Sequence, residues 1–496
     1  MPINADDLET AVTLESSRTG IVEEPPFRIL VLGDWSADGE KRDLEDRKPT
    51  EIDRDEFDDV LGKMKVRLEL DFEDETILPL EFAELDDFHP DAIFRKVPMF
   101  SELRDLRKRL KDESSFYSAA REVRDRFNIE RPRDAEPAAV EEAPAEDLLG
   151  AILSKPSGGA PAPKPRTSSD LGNLISDLVR PHLISVDENE QSGMLRAVDE
   201  ATSGLMRKIL HHKKFQELEA AWRGLYFLVR RTETSTELKI FVLDVAKEEL
   251  AGDLKAAGNL DETVLYRHLV KDAYDGDPWA VILGNYALMP DVDDIATLMR
   301  ISKIASIANA PFISHMRPDV LGVHSLFEKS NVRDWQMDAD GNAGKLWAAL
   351  CDQTDSAYLG MTIPRFLVRL PYGADTEPLE TFNFEEFADA PVHDQYCWSN
   401  TAFIAAQLLA ESFSAYGWEM GRALKQDVED LPVHVYKDGT ETVYKPCAEV
   451  LLTEDACNKL MSHGLMPLVS FKNTDRVKLA RFQSIADTKL KGMWSS

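Results

Sequence analysis

The chain has 496 residues, 43% hydrophobic and 30% charged, too long for one ordinary hydrophobic core and apolar enough to build several, which excludes wholesale disorder. Lys and Arg total 58 against 90 Asp and Glu, a net charge of −32 that would repel a nucleic-acid backbone or an anionic lipid surface and suits solubility or docking onto basic protein surfaces. The four cysteines, Cys351, Cys397, Cys447 and Cys457, lack CxxC spacing and predict reduced, mostly buried thiols, not a zinc site or a disulfide framework.

Residues 1–26 are polar and acidic and end on Pro25 and Pro26, the composition of a flexible arm. Their start lacks a basic-then-apolar leader, and no stretch offers about 18 continuous apolar residues, so no direct membrane insertion and a cytoplasmic location are expected. Order is predicted to begin at Phe27, where FRILVLGDWS reads as a buried strand closed by Gly33 and Asp34. Ile52, Phe57, Val60, Leu61 and Met64 then fall at helical spacing, VRLELDF alternates as a strand, and Val97, Phe100, Leu103, Leu106 and Leu110 share one helical face. Residues 27–131 thus predict a small α+β domain.

From 132 to 169 the chain turns to Pro, Ala, Glu, Ser and Gly, which cannot bury enough apolar area to offset chain entropy, so a disordered linker is expected. Within it, 146–153 (EDLLGAIL) predicts a short helix with Leu148, Leu149, Ile152 and Leu153 on one stripe; so short a helix needs a partner surface to fold.

The second region, 170–496, opens on a helix capped by Ser169 and Asp170 and carrying Leu171, Leu174, Ile175, Leu178 and Val179. A long amphipathic segment from Met194 to Val229 leads into the strand ELKIFVLDV and a later strand in WAVILGNYAL, and a capped helix DVDDIATLMRISKIASIA feeds the strand APFIS. MTIPRFLVRLPYG, a buried helix in WSNTAFIAAQLLAESFSAYGW, and strand-like LPVHVY and AEVLLT complete a mixed α/β layering, hence an α+β fold class.

Catalytic and metal motifs are weak. GNAGK over 341–345 lacks the spacing and the Ser or Thr of a phosphate loop and reads as a polar loop, and the calcium-loop register around it begins on Gln336 and ends on Trp347. His211 and His212, adjacent on one predicted helix, point about 100° apart and cannot share a metal, while His315, His393, His434 and His463 are scattered with no nucleophile elbow nearby. Asp86 and Asp87 sit in DDFHP, a turn or helix start where carboxylates satisfy backbone N–H groups. No catalytic, metal-binding or cofactor-binding residue, and so no enzyme, is expected.

Two stretches carry a resemblance. VLGDWS with LEDRKPTEIDRDEFDDVL, and LPLEFAELDDFHPDAIFRKVPMFSELRDLRKRL with Asp86, Asp87, Phe88, Pro90, Val97, Leu103 and Arg107, resemble the small subunit (TssB/VipA) of the type VI secretion contractile sheath. ILHHKKFQELEAAWRGL, with Phe215, Gln216, Glu219, Trp222, Arg223, Gly224 and Leu225, is similar to the signature of the sheath large subunit (TssC/ImpC/VipB). APFIS, LGMTIPRFLVRLPYG, FNFEE, WSNTAF, YGW and LPVHVY follow in that family's order, so the second resemblance runs over roughly 171–486. Lys425 and Gln426 stand where the family has paired glycines, and the sequence stops where a full-length large subunit would continue for a last sizeable segment.

The resemblance implies a sheath-subunit-like core joined to the small N-terminal domain, and a structural role in oligomeric assembly through protein–protein contacts. It implies as partners other sheath subunits, inner-tube or baseplate proteins and the sheath-disassembly ATPase, which in the large-subunit family recognises a helix like that of 146–153. A cap, terminator or regulatory adaptor that does not itself polymerise is the alternative, and an α/β enzyme or ligand-binding module a further one. Interface candidates are Leu148, Leu149, Ile152 and Leu153, with Trp222 as a bulky packing residue and Arg223, Arg365 and Arg369 as bridges to carboxylates within or between subunits.

Overall fold

The computed structural model describes residues 24–72, 77–121, 190–336 and 340–495, apart from positions 113, 117 and 275. The helices expected at 146–153 and from 170 onward, and all but the end of the arm over 1–26, lie outside these residues.

The strands are β1 (Phe27–Gly33), β2 (Thr50–Ile52), β3 (Val66–Asp71), β4 (Ile77–Phe82), β5 (Leu238–Asp244), β6 (Val281–Leu288), β7 (Phe312–Met316), β8 (Leu359–Ile363), β9 (Phe366–Leu367), β10 (Trp398–Ser399), β11 (Asp427–Val428), β12 (His434–Asp438), β13 (Glu441–Lys445), β14 (Leu465–Ser470) and β15 (Val477–Leu479). The main helices are α1 (Phe57–Lys63), α2 (Pro90–Lys96), α3 (Ser101–Lys111), α4 (Glu190–Leu210), α5 (Lys213–Arg231), α6 (Lys247–Ala256), α7 (Val292–Ala308), α8 (Asn342–Cys351), α9 (Ala402–Tyr416) and α10 (Glu454–Ser462).

Nine strands form one sheet in the order β11-β15-β14-β8-β7-β6-β1-β5-β2. The six from β14 to β5 are parallel, and β15, β11 and β2 complete the sheet through antiparallel pairings. A parallel sheet is covered on both faces, which is why FRILVLG reads as an almost unbroken apolar run. Its side chains alternate between two cores: Phe27, Ile29 and Val31 pack with Trp222 and Leu225 of α5 and Phe403 and Leu408 of α9, while Leu30 and Leu32 pack with Leu250 of α6, Leu298 of α7 and Leu460 of α10.

The arrangement is the expected mixture of α and β layers, and β1 occupies its centre. It pairs with β5 from Phe27↔Leu238 to Gly33↔Asp244, and with β6 from Ile29↔Val281 to Leu32↔Gly284. A strand from one side of the 132–169 stretch is therefore hydrogen-bonded on both edges to strands from the other side.

Three local expectations are corrected. The long amphipathic segment is two helices, because His212 leaves the helical conformation and caps α5, its Nδ1 accepting from the Lys214 amide at 3.3 Å; His211 and His212 thus sit at a joint, not on one helix. GNAGK is not a loop: Gly341 is the cap and Asn342 the first residue of α8. AEVLLT forms no strand, because the Glu449 carboxylate and amide are both engaged with Arg365 and only Ala448 makes an isolated bridge, to Phe366.

Candidate assembly site

Two of the four described interface candidates, Arg223 and Arg369, meet in one polar network inside the core. Arg369 is 6% exposed and forks onto two fully buried carboxylates: Nε and Nη2 donate to Glu219 at 2.7 and 3.1 Å, and Nη1 and Nη2 donate to Glu386 at 2.7 and 3.0 Å. Arg223, one helical turn from Glu219 on α5, donates to Glu219 at 2.8 Å and to the Tyr372 hydroxyl at 2.9 Å. The Tyr372 amide completes Glu386 at 2.8 Å.

Burial by itself would push both carboxyls up. Arg369, together with Arg223 on Glu219 and His211 on Glu386, overrides it, holding Glu219 below the ordinary carboxylate range and Glu386 down to about 2. Burial likewise disfavours the Arg369 charge, yet the two carboxylates raise its pKa well above the usual value. Two guanidiniums and two carboxylates thus balance, and α5 is fastened to the segment running from β9 to Glu386.

Trp222, on the same helix, is fully buried. Its Nε1 donates to the Trp35 carbonyl at 3.1 Å, and its ring packs edge-on to Trp35 and Phe57, with centroids 5.2 and 5.8 Å away. It joins the N-terminal region to the large one. Asp244 at the end of β5 accepts from the Trp35 and Ser36 amides at 2.8 and 3.2 Å, and Arg47 grips Glu249 bidentately at 2.8 and 2.6 Å. Farther away, Asp91 accepts from the Glu380 and Thr381 amides at 2.9 and 3.1 Å. Burial disfavours ionisation of Asp91, but these bonds and the Thr381 hydroxyl override it and keep its carboxyl low. Arg365 pairs with Glu449, its amide donating at 3.0 Å, and keeps its side chain 40% exposed. Arg223, Arg365 and Arg369 each meet a carboxylate within the chain. Leu148, Leu149, Ile152 and Leu153 lie outside the described residues.

The surface offers a different feature. The edges of the main sheet are short and polar: β2 exposes Thr50 and Glu51, and β11 has two residues with Asp427 exposed. The β12–β13 hairpin pairs with no third strand among the described residues. On its outer face Val435 and Tyr444, directly opposed in register, are each 42% exposed. Leu451 is exposed beside them, and a groove lined by Val433, Tyr444, Pro446, Leu451, Lys472 and Thr474 runs along the hairpin. LPVHVY is legible in the sequence as a strand but the hairpin is not, because DGTETVYK alternates weakly between polar and apolar residues.

Among the described residues no group of three or more His, Cys, Asp or Glu is placed to hold a metal, and no helix is long and apolar enough to cross a membrane. Burial is the main cause that pushes His315 down to about 4, and His463 Nδ1 hydrogen-bonds the Lys459 carbonyl at 2.9 Å. His393 and His434, 41 positions apart in the sequence, meet at the base of the hairpin around Lys445. All four cysteines are free, with Cys397 and Cys447 buried.

The VipB family model, the tail sheath N-terminal domain (EvpB), matches residues 192–486, and the VipA model of the type VI secretion system matches residues 12–128. The type VI secretion system sheath protein TssC1 of Pseudomonas aeruginosa is 36% identical over 301 residues, 59% of this chain and 60% of that protein. The chain therefore matches less than two thirds of this relative's length.

Proposed function

Because the chain belongs to the type VI secretion tail sheath family, with a VipA-type region ahead of its VipB-type region, we propose that it is a non-enzymatic structural subunit of a contractile sheath, assembled in the cytoplasm. One observation carries this reading: β1 of the VipA-matching region lies between β5 and β6 of the VipB-matching region, so a single chain holds both pieces in one sheet. The regions 27–131 and 170–496 are then two pieces of one folding unit, in fixed one-to-one ratio.

Neighbouring sheath subunits attach through the β12–β13 hairpin. An extended segment adds to its free edge by main-chain hydrogen bonds and covers Val435, Tyr444 and Leu451. The main sheet cannot serve, since its edges are short and charged. Trp222, Arg223 and Arg369 contribute indirectly, by stiffening the body against which subunits pull. Arg365, half open to solvent beside the hairpin, is the one of the three arginines that reaches a neighbour. The stripe at Leu148, Leu149, Ile152 and Leu153 docks the disassembly ATPase, and contacts to inner-tube or baseplate proteins follow from assembly.

Co-sedimentation with VipA- and VipB-type sheath subunits tests the reading. The wild-type chain pellets with the cylinders, and a Val435→Lys/Tyr444→Lys double variant, folded by circular dichroism, stays in the supernatant. A wild-type chain that never pellets, or a double variant that pellets equally, overturns it.

A further inference from the structure

The hairpin is tied to the body at its open end. His434 and Lys445 are opposed in register there and both are buried, whereas from Val435 to Tyr444 the side chains are exposed or half-buried. Lys445 is 8% exposed, and its Nζ lies 4.6, 5.0 and 5.6 Å from the ring centres of Phe327, Tyr396 and Trp398. An ammonium in such an aromatic box is stabilised by the ring faces in place of water. Its one side-chain hydrogen bond, at 2.8 Å, goes to His393 Nδ1, and His393 itself stacks flat on Phe327 with centroids 4.0 Å apart.

An ammonium carries only donors, so His393 Nδ1 must be an unprotonated acceptor and the ring proton must sit on Nε2, which faces Glu449 at 3.7 Å. We infer that the Lys445–His393 pair is an acid-released latch: with His393 neutral it fixes the open end of the β12–β13 hairpin to the body, and a proton on His393 Nδ1 frees the hairpin.

The step is electrostatic. A proton on Nδ1 removes the acceptor and sets two cations 2.8 Å apart in a site closed by aromatic rings. The charged and titratable groups facing the pair are Glu449 and Asp394, the Arg365 that pairs with Glu449, His434 across the hairpin, and Tyr396, whose hydroxyl is 2.7 Å from His434 Nδ1. Glu449 offsets the added charge only in part, because it is shared with Arg365, which overrides burial to hold its carboxyl well below the usual range. Burial pushes Lys445 down to about 8, against the pull of Glu449 and Asp394, so the ammonium persists as the pH falls below neutrality and the conflict is between two positive charges. Burial also pushes His434 down, disfavouring a further positive charge across the hairpin.

The inference concerns how the hairpin is anchored and holds whatever binds it. Hydrogen exchange of the full chain at pH 7.5 and 5.5, corrected for the intrinsic pH dependence of exchange, tests it. Amides of 434–445 should lose on the order of tenfold protection at pH 5.5 while β1 and β6 stay protected. His393→Asn, whose Oδ1 can replace Nδ1 as an acceptor that does not titrate, should keep the hairpin protected at both pH values, and Lys445→Met should lose protection at both. Equal wild-type protection at the two pH values, or the same acid loss in His393→Asn, overturns the latch. If His393→Asn also unprotects β1, the wild-type comparison and Lys445→Met decide.

Discussion

Arg369 is shared by two buried carboxylates, and removing it would leave both uncompensated. Arg369→Met should therefore destabilise the chain by about 3–5 kcal/mol, read as a lower urea midpoint at unchanged slope. Glu386 gives the pH dependence its sign. Its carboxyl ionises at about 2 in the fold against an ordinary 4.5, so its contribution is fully present above 4.5 and is lost as pH falls toward 2. Glu386→Gln should flatten the acid limb of a stability–pH curve between those values. Trp222, Arg223 and Arg369 were legible as packing and bridging residues from their chemistry. Their partners were not, because Arg369 meets Glu219 across 150 positions and nothing local marks which of the 90 acidic residues is buried. Lys445 was missed for the same reason: its aromatic box comes from two segments, at Phe327 and at Tyr396 and Trp398, both distant in sequence.

At the scale of elements, the apolar run of β1 and the periodicity of α5, α7 and α9 were plain, since burial on two faces or one stripe writes itself into composition. What periodicity misses is a cap or a close approach. The helical spacing runs straight through His211 and His212, and the break lies in a side-chain bond to the Lys214 amide. β14 was hidden by Pro467 inside LMPLVS, which argues against a central strand. Gly224 shows the same limit: a Cβ there would lie 2.3 Å from Ser399 Oγ and 2.6 Å from the Phe403 ring, so α5 can approach β10 and α9 only with glycine at that position. Gly224→Ala should cost about 1–3 kcal/mol, measured by urea unfolding, and it should loosen α5 from α9 before it affects β7 or β8.

For the whole molecule, the two resemblances predicted two pieces joined in one core, but not a shared sheet; no local pattern in FRILVLG names its neighbours as β5 and β6. If the sheet holds the pieces together, a protease site placed within 132–189 of the full chain can be cut without separating them: both fragments should co-elute in gel filtration at micromolar concentration and part only in denaturant. Fragments that separate in native buffer would contradict the joint core. A cryo-electron microscopy map of contractile cylinders formed in the presence of this chain would show directly whether it is a sheath subunit. Density for the chain is expected within the cylinder wall, with β1 threaded between β5 and β6 and a neighbour's extended segment lying on the β12–β13 hairpin. Cylinders that exclude the chain, or that hold it with the hairpin facing solvent, would contradict this arrangement.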